Sequence, residues 1–174
     1  EVPTGAGGGY RVFTPYWTAM RRLPVAAPLP APVRARGPGQ PVPGDRLADW
    51  RLAAAMDRGA GIVRPHQAVG EAAAQIRLAA FLDGPVDGYA VARDLPGAEG
   101  TSRLSENLTY GEIGIRTVWH AGLRARDEGR AGAEAFLRQL AWREFSWHLL
   151  HHHPQMAREN WRPEWDAFPW RGDS

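Results

Sequence analysis

The segment QLAWREFSWHLLHHHP, Gln139 to Pro154, sets an amide, two indoles, an arginine and four histidines within sixteen residues. At about 100° per residue, Arg143 and Trp147 fall within roughly 20° of Phe136 on one helical line. Gln139 stands about 60° to one side, and Trp142 about 60° beyond it. A helix here would offer a strip running from an aromatic ring and a guanidinium, through an amide, to a large indole. A guanidinium pairs with phosphate or carboxylate. An amide both donates and accepts hydrogen bonds, and an indole face stacks on a flat ring. Packing accounts for the same residues and is the preferred reading of one isolated helix, with Trp142 and Trp147 in the core and Arg143 paired with Glu144 or Asp127, because aromatic stripes are usually buried. Leu137, Ala141 and Phe145 lie on the other side and read as core.

The histidines invite a metal reading. His148 and His152 are four apart, a spacing that two ligands on one helix can share. No third ligand stands at a recognised distance, so no metal is expected. His151, His152 and His153 just before Pro154 fit a helix end, where cations face the carbonyl end of the dipole.

A second cluster is GTSRLSENLTYGEIG, Gly100 to Gly114. Thr101, Ser102 and Ser105 crowd the entry to a helix. One hydroxyl suffices to cap a helix. Free amides and hydroxyls at a helix start also make a seat for phosphate. Both readings stand on chemistry alone.

These groups need elements to hold them. Residues 1–22 open with the Gly-rich GAGGG and continue in YRVFTPYW, which reads as extended. Residues 23–45 contain seven prolines, which exclude helix and inner strand and predict a semi-rigid linker. From Pro65 the pattern turns helical, with Val69, Ala73, Ile76 and Ala80 on one stripe and Asp83 and Gly84 at its close. A loop follows to Thr101, then a short helix after Ser102 or Ser105. A longer helix is expected over 114–128, stopped by Gly129, and a last one over 131–152, stopped by Pro154. Nothing alternates as strands do. The class is mainly α.

The chain has 174 residues and a net charge of +2, with arginine as its sole basic residue besides histidine. Arginine makes planar, bidentate phosphate contacts and stacks on aromatic rings. Without cysteine there are no disulfides, thiolate metal sites or thiol nucleophiles. No apolar run approaches a membrane span and no leader pattern is evident, so the expectation is a cytoplasmic monomer. Starting at Glu1 and ending at RGDS, the chain reads as a piece of a longer protein.

Taken together, TSRLS-x-x-L-x-x-GEI, then QLAWREF, LLxHHP and FPW, resemble the DNA photolyase and cryptochrome family in order, spacing and identity. The resemblance is strongest over residues 65–170. It implies that 1–22 ends an N-terminal α/β antenna domain, that 23–45 is the interdomain linker, and that 46–174 is the first half of the helical FAD-binding domain, truncated. It implies a light-driven lyase in which reduced FAD passes an electron to a pyrimidine dimer flipped out of DNA. A folate- or deazaflavin-type antenna chromophore would belong to the missing domain.

The family's site residues map as follows. Thr101, Ser102, Arg103, Leu104 and Ser105 match the segment holding the FAD diphosphate, and Tyr89, Phe136 and Arg143 match further cofactor contacts. Trp142 matches the tryptophan on which the dimer stacks, and Gln139 matches a dimer contact. Arg93 and Ser146 match DNA-facing positions. Trp170 matches the outer tryptophan of the electron-transfer chain. Many cyclobutane-dimer enzymes carry Glu at the position of Gln139. The amide cannot deliver a proton, and it is shared with (6-4) photolyases and many cryptochromes, so lesion type and a photoreceptor role stay open, with cyclobutane dimers favoured. Half a cofactor cup implies little or no repair by this polypeptide alone. A helical Arg-rich module that merely binds DNA is the non-enzymatic alternative.

Overall fold

The computed structural model describes residues 2–5, 7–34, 37, 39–40, 42–52, 54–169 and 171. Among these residues the chain is helical and contains no strand: α1 (Phe13–Met20), α2 (Asp57–Val63), α3 (Glu71–Asp83), α4 (Tyr89–Ala92), α5 (Ser105–Thr109), α6 (Ile115–Asp127) and α7 (Ala133–His152), joined by short 3-10 turns. The mainly α expectation holds.

Helix α7 is the centre of the packing, with α6, α1 and α4 laid against it. Its buried face is Phe136, Leu137, Leu140, Ala141, Phe145 and His148, spaced as an amphipathic helix requires. Helix α6 answers with Val118, Trp119, Ala121, Gly122 and Ala125. At Gly122 a Cβ would come within 2.9 Å of Leu137 Cδ2, so glycine lets the two helices approach closely. Gly129, at φ 84°, turns the chain out of α6.

Two local expectations fail. YRVFTPYW is not extended, because Phe13–Met20 forms α1. Pro15 sits in the first turn, where its missing amide proton has no helical partner to lose. Phe13, Tyr16 and Trp17 then fall on one face and are buried against α7 and Trp119. The other failure concerns the stripe Val69, Ala73, Ile76 and Ala80. Gly70, at φ 98°, breaks the chain ahead of α3, so Val69 lies outside the helix. The buried face is Ala74, Leu78 and Phe81, and Ile76 points outward, 70 % exposed. The expected loop before Thr101 contains α4, a single helical turn. The Pro-rich 23–45 carries no helix among its described residues, as proline demands.

The N-terminal segment is pinned to α7. Tyr10 donates its backbone N–H to His148 Nε2 at 2.7 Å. His148 also packs against Tyr16, Phe145 and His152. Gly9 lies so close that a Cβ there would stand 2.5 Å from His152 Cδ2. His148 and His152 therefore clamp the N-terminal segment, and no group of three metal-ligating side chains occurs among the described residues. No described helix is long and apolar enough to cross a membrane.

Candidate functional site

The site is built outward from α7. Its solvent side carries Gln139, Trp142 and Ser146 in successive turns. Helix α4 ends beside it at Arg93, whose Nη1 donates to Gln139 Oε1 at 3.4 Å, while Nε lies 3.6 Å from Asp94. Four of the predicted DNA-facing and dimer-contacting residues thus share one face. Ser146 donates its hydroxyl to Trp142 O at 3.0 Å and is turned back onto its own helix.

Trp142 is not core. It is 42 % exposed, and one face of its indole is stacked on Phe13, with ring centroids 3.8 Å apart and planes 9° apart. Phe145 meets the same indole edge-on at 5.7 Å. Trp147 is likewise exposed. Neither tryptophan of this helix is buried core, whereas the ion pair expected of Arg143 forms, to Glu144 at 2.6 Å, with Arg143 half-buried.

The predicted strip breaks at its aromatic end. Phe136 shares a helical line with Arg143 and Trp147, yet it is buried between Phe81 and Tyr89, at centroid distances of 4.8 and 5.6 Å. Tyr89 is buried with it, edge-on to Phe81. Burial raises the Tyr89 hydroxyl above its ordinary pKa, with Arg93 pulling it partly back and Asp94 adding to the rise. The structure joins Tyr89 to Phe136, but as part of the core.

The hydroxyl cluster follows α4 after a short loop. Gly100 lies against Ala92, with no room for a Cβ, so Thr101 starts immediately beside the end of α4 and Arg93. Arg103 adopts a left-handed backbone, φ 52°, and its carbonyl accepts from Arg77 at 2.8 Å. Its guanidinium pairs with Glu99. Leu104 is buried and anchors the segment, while Thr101 and Ser105 are exposed and Ser102 is half-buried. Helix α5 has no side-chain cap, and the hydroxyls of Thr101, Ser102 and Ser105 bond to no other described residue. The capping reading fails.

What holds this loop is a polar knot that sequence reading did not find. Asn107 is fully buried; it donates to Ala68 O at 2.7 Å and to Glu112 Oε2 at 2.6 Å, and accepts from Arg77 at 3.3 Å. Glu106 pairs with Arg77 and accepts from Ala68 N at 3.3 Å. The Arg77 bond is the largest cause holding the Glu106 carboxyl below the usual glutamate range. Phe13 was missed as well. Its only sequence signal was the i, i+3, i+4 spacing of Phe13, Tyr16 and Trp17. Trp170 lies outside the described residues.

A cavity of about 590 Å³ opens elsewhere, between Tyr16, Trp119, Leu140, Glu144, Trp147 and the Pro24–Ala26 stretch. None of the predicted cofactor residues lines it. Tyr16 faces it, its hydroxyl pushed up to about 12 by burial and then by the charge of Glu144.

Comparison with known proteins places these residues in context. The family model described as the FAD binding domain of DNA photolyase matches residues 136–174. The deoxyribodipyrimidine photo-lyase of Agrobacterium fabrum is 36 % identical over 99 % of this chain and 36 % of its own length. That of a Thermus thermophilus strain is 38 % identical over 99 % of this chain and 37 % of its own. A crystal structure of a bacterial class III photolyase from Agrobacterium tumefaciens superposes with a TM-score of 0.88 at 34 % identity, covering 99 % of this chain and 36 % of the other. The chain spans little more than a third of the length of these photo-lyases.

Proposed function

We propose that this chain, related to the DNA photolyases over essentially its whole length, is the front part of a flavoenzyme that repairs pyrimidine dimers in DNA with light. One observation carries the reading: Arg93 and Gln139 meet on the solvent side of α7 beside the open part of Trp142, and the loop that follows α4 carries hydroxyls that bond to no other described residue.

The donor set fits an FAD diphosphate. Thr101, Ser102 and Ser105 offer hydroxyl donors without internal partners, and anions are held by such donors. Leu104, buried beneath them, fixes the segment in place. When bound there, reduced FAD would supply the photoexcited electron for dimer splitting. Tyr89 and Phe136 act from within the core, as the support on which α4 and α7 meet, rather than as ring contacts. Arg143 would reach phosphate only by leaving Glu144, a half-exposed pair that is easily exchanged.

On the DNA side, Trp142 presents an indole edge and face for an extruded base, since stacking tolerates any flat ring. Gln139, with its oxygen engaged by Arg93, keeps its amide N–H groups for the carbonyls of the lesion. Arg93 would also face the phosphate backbone. Because Gln139 is an amide where a carboxyl would donate a proton, the (6-4) lesion is the second reading.

The test is a titration of the chain with FAD and with single-stranded oligonucleotides carrying a cyclobutane thymine dimer, a (6-4) lesion or neither. Binding that prefers a lesion and is lost in Trp142→Ala supports the reading, and the preferred lesion names the substrate. Equal affinity for damaged and undamaged strands, with no flavin retained, would sink it.

A further inference from the structure

Trp142 is held by a residue from the far end of the sequence. Phe13, on α1, is only 4 % exposed and lies flat against the indole at 3.8 Å. Phe13 is itself fixed: Phe145 meets it edge-on at 5.7 Å, and the Arg138 guanidinium lies 5.5 Å from its ring centroid. Phe145 touches both rings, so the indole has a floor in Phe13 and a wall in Phe145.

An exposed tryptophan with no such support would sample several rotamers and lose that freedom on binding. Ordering one rotamer-rich side chain consumes a real part of a stacking interaction. Covering one face has a second effect. A ring that stacks on this indole has a single face available, so the side of approach is set.

We propose that Phe13 is a positioning residue for Trp142, holding the indole ready and leaving only the face turned away from α1 for a flat base. The inference rests on the reading that Trp142 receives an extruded base. It assigns to α1 a part in lesion recognition.

The experiment uses the full chain and the variants Phe13→Leu, Phe13→Tyr and Trp142→Phe, with Phe13→Met in place of Phe13→Leu if the latter does not fold. Emission from Trp142 is isolated as the difference between each protein and the same protein carrying Trp142→Phe. Its quenching by acrylamide reports how well the indole is covered. Affinity is read with a single-stranded oligonucleotide carrying a cyclobutane thymine dimer. Phe13→Leu should raise Trp142 quenching roughly twofold and weaken lesion binding roughly fivefold, while binding of the undamaged strand stays unchanged. Phe13→Tyr, which keeps the ring, should restore both. Wild-type quenching and affinity in Phe13→Leu would overturn the proposal. If Trp142→Phe itself leaves lesion binding intact while Phe13→Leu still raises quenching, the stacking reading is what fails, and the role of α1 in recognition fails with it.

Discussion

The guanidinium of Arg93 and the side-chain amide of Gln139 meet across α4 and α7, with Nη1 donating to Oε1 at 3.4 Å. That contact sets which end of the amide faces outward: the oxygen is taken and the N–H groups are offered. Gln139→Leu removes them and should weaken binding of dimer-containing DNA roughly tenfold, leaving undamaged DNA unaffected, as measured by fluorescence anisotropy. Gln139→Glu places a carboxylate beside Arg93 and loses the donor at neutral pH. Its lesion affinity should rise as the pH falls and the carboxyl gains a proton.

Asn107 ties the hydroxyl loop to the segment ahead of α3 through Ala68, and to Glu112. Asn107→Leu fills similar space but strands both acceptors and the Arg77 donor. The expected cost is about 2–4 kcal/mol in urea unfolding, with the loop around Arg103 the first segment to exchange its amides.

Acid should loosen the same loop. The Glu106 carboxyl is held below its ordinary pKa, chiefly by Arg77, so its contribution is complete above the unfolded-state value and fades as the pH falls through the folded one. Thermal unfolding across the acid range should show this loss in the parent protein. Glu106→Gln should lack that portion of the slope; an unchanged slope would contradict the assignment.

Gly132 precedes α7 where a Cβ would overlap the Val86 carbonyl oxygen and sit 3.1 Å from Tyr89 Cβ. Gly132→Ala must push the 85–92 segment away from α7, at a cost of about 1–3 kcal/mol in thermal unfolding. Because Arg93 follows that segment, its contact with Gln139 should weaken too, visible as reduced lesion affinity.

His148→Phe keeps a ring of similar shape but deletes the acceptor of the Tyr10 N–H. The bare donor should cost about 1–3 kcal/mol, and Tyr10 should exchange its amide proton faster by NMR. Faster exchange confined to α1 and its neighbours would locate the loss at the N-terminal clamp.

Helices α6 and α7 were legible because their ends carry strong punctuation, Gly129 and Pro154, and their apolar spacing is regular. Helix α3 was found but set one position off, since Val69 belongs to the approach and not to the helix. Helix α1 was misread as extended, and its proline is no obstacle, because a first-turn proline breaks nothing. In the site, Gln139 and Trp142 stand in one motif and Arg93 in a separate segment, and the contact between Arg93 and Gln139 comes from the packing of α4 on α7. The burial of Tyr89 and Phe136 was not legible, because it depends on α3 supplying Phe81 from across the fold. Phe13 and Asn107 escaped for the same reason: their partners are set by tertiary packing, and no spacing within one segment reveals them.

The Pro-rich stretch leaves the packed body at Ala26, whose carbonyl meets His120 Nε2 at 3.1 Å, and the chain is caught again at Ala68 by Asn107 and Glu106. Between these two anchors the described residues are exposed, apart from half-buried Ala60. In polymer terms this is a tether closed at both ends, and the entropy of closing it grows only with the logarithm of its length. Halving the tether would therefore change stability by only about 0.6 kcal/mol, whereas cutting it would turn the docking of α1 on α7 into an encounter between two separate chains.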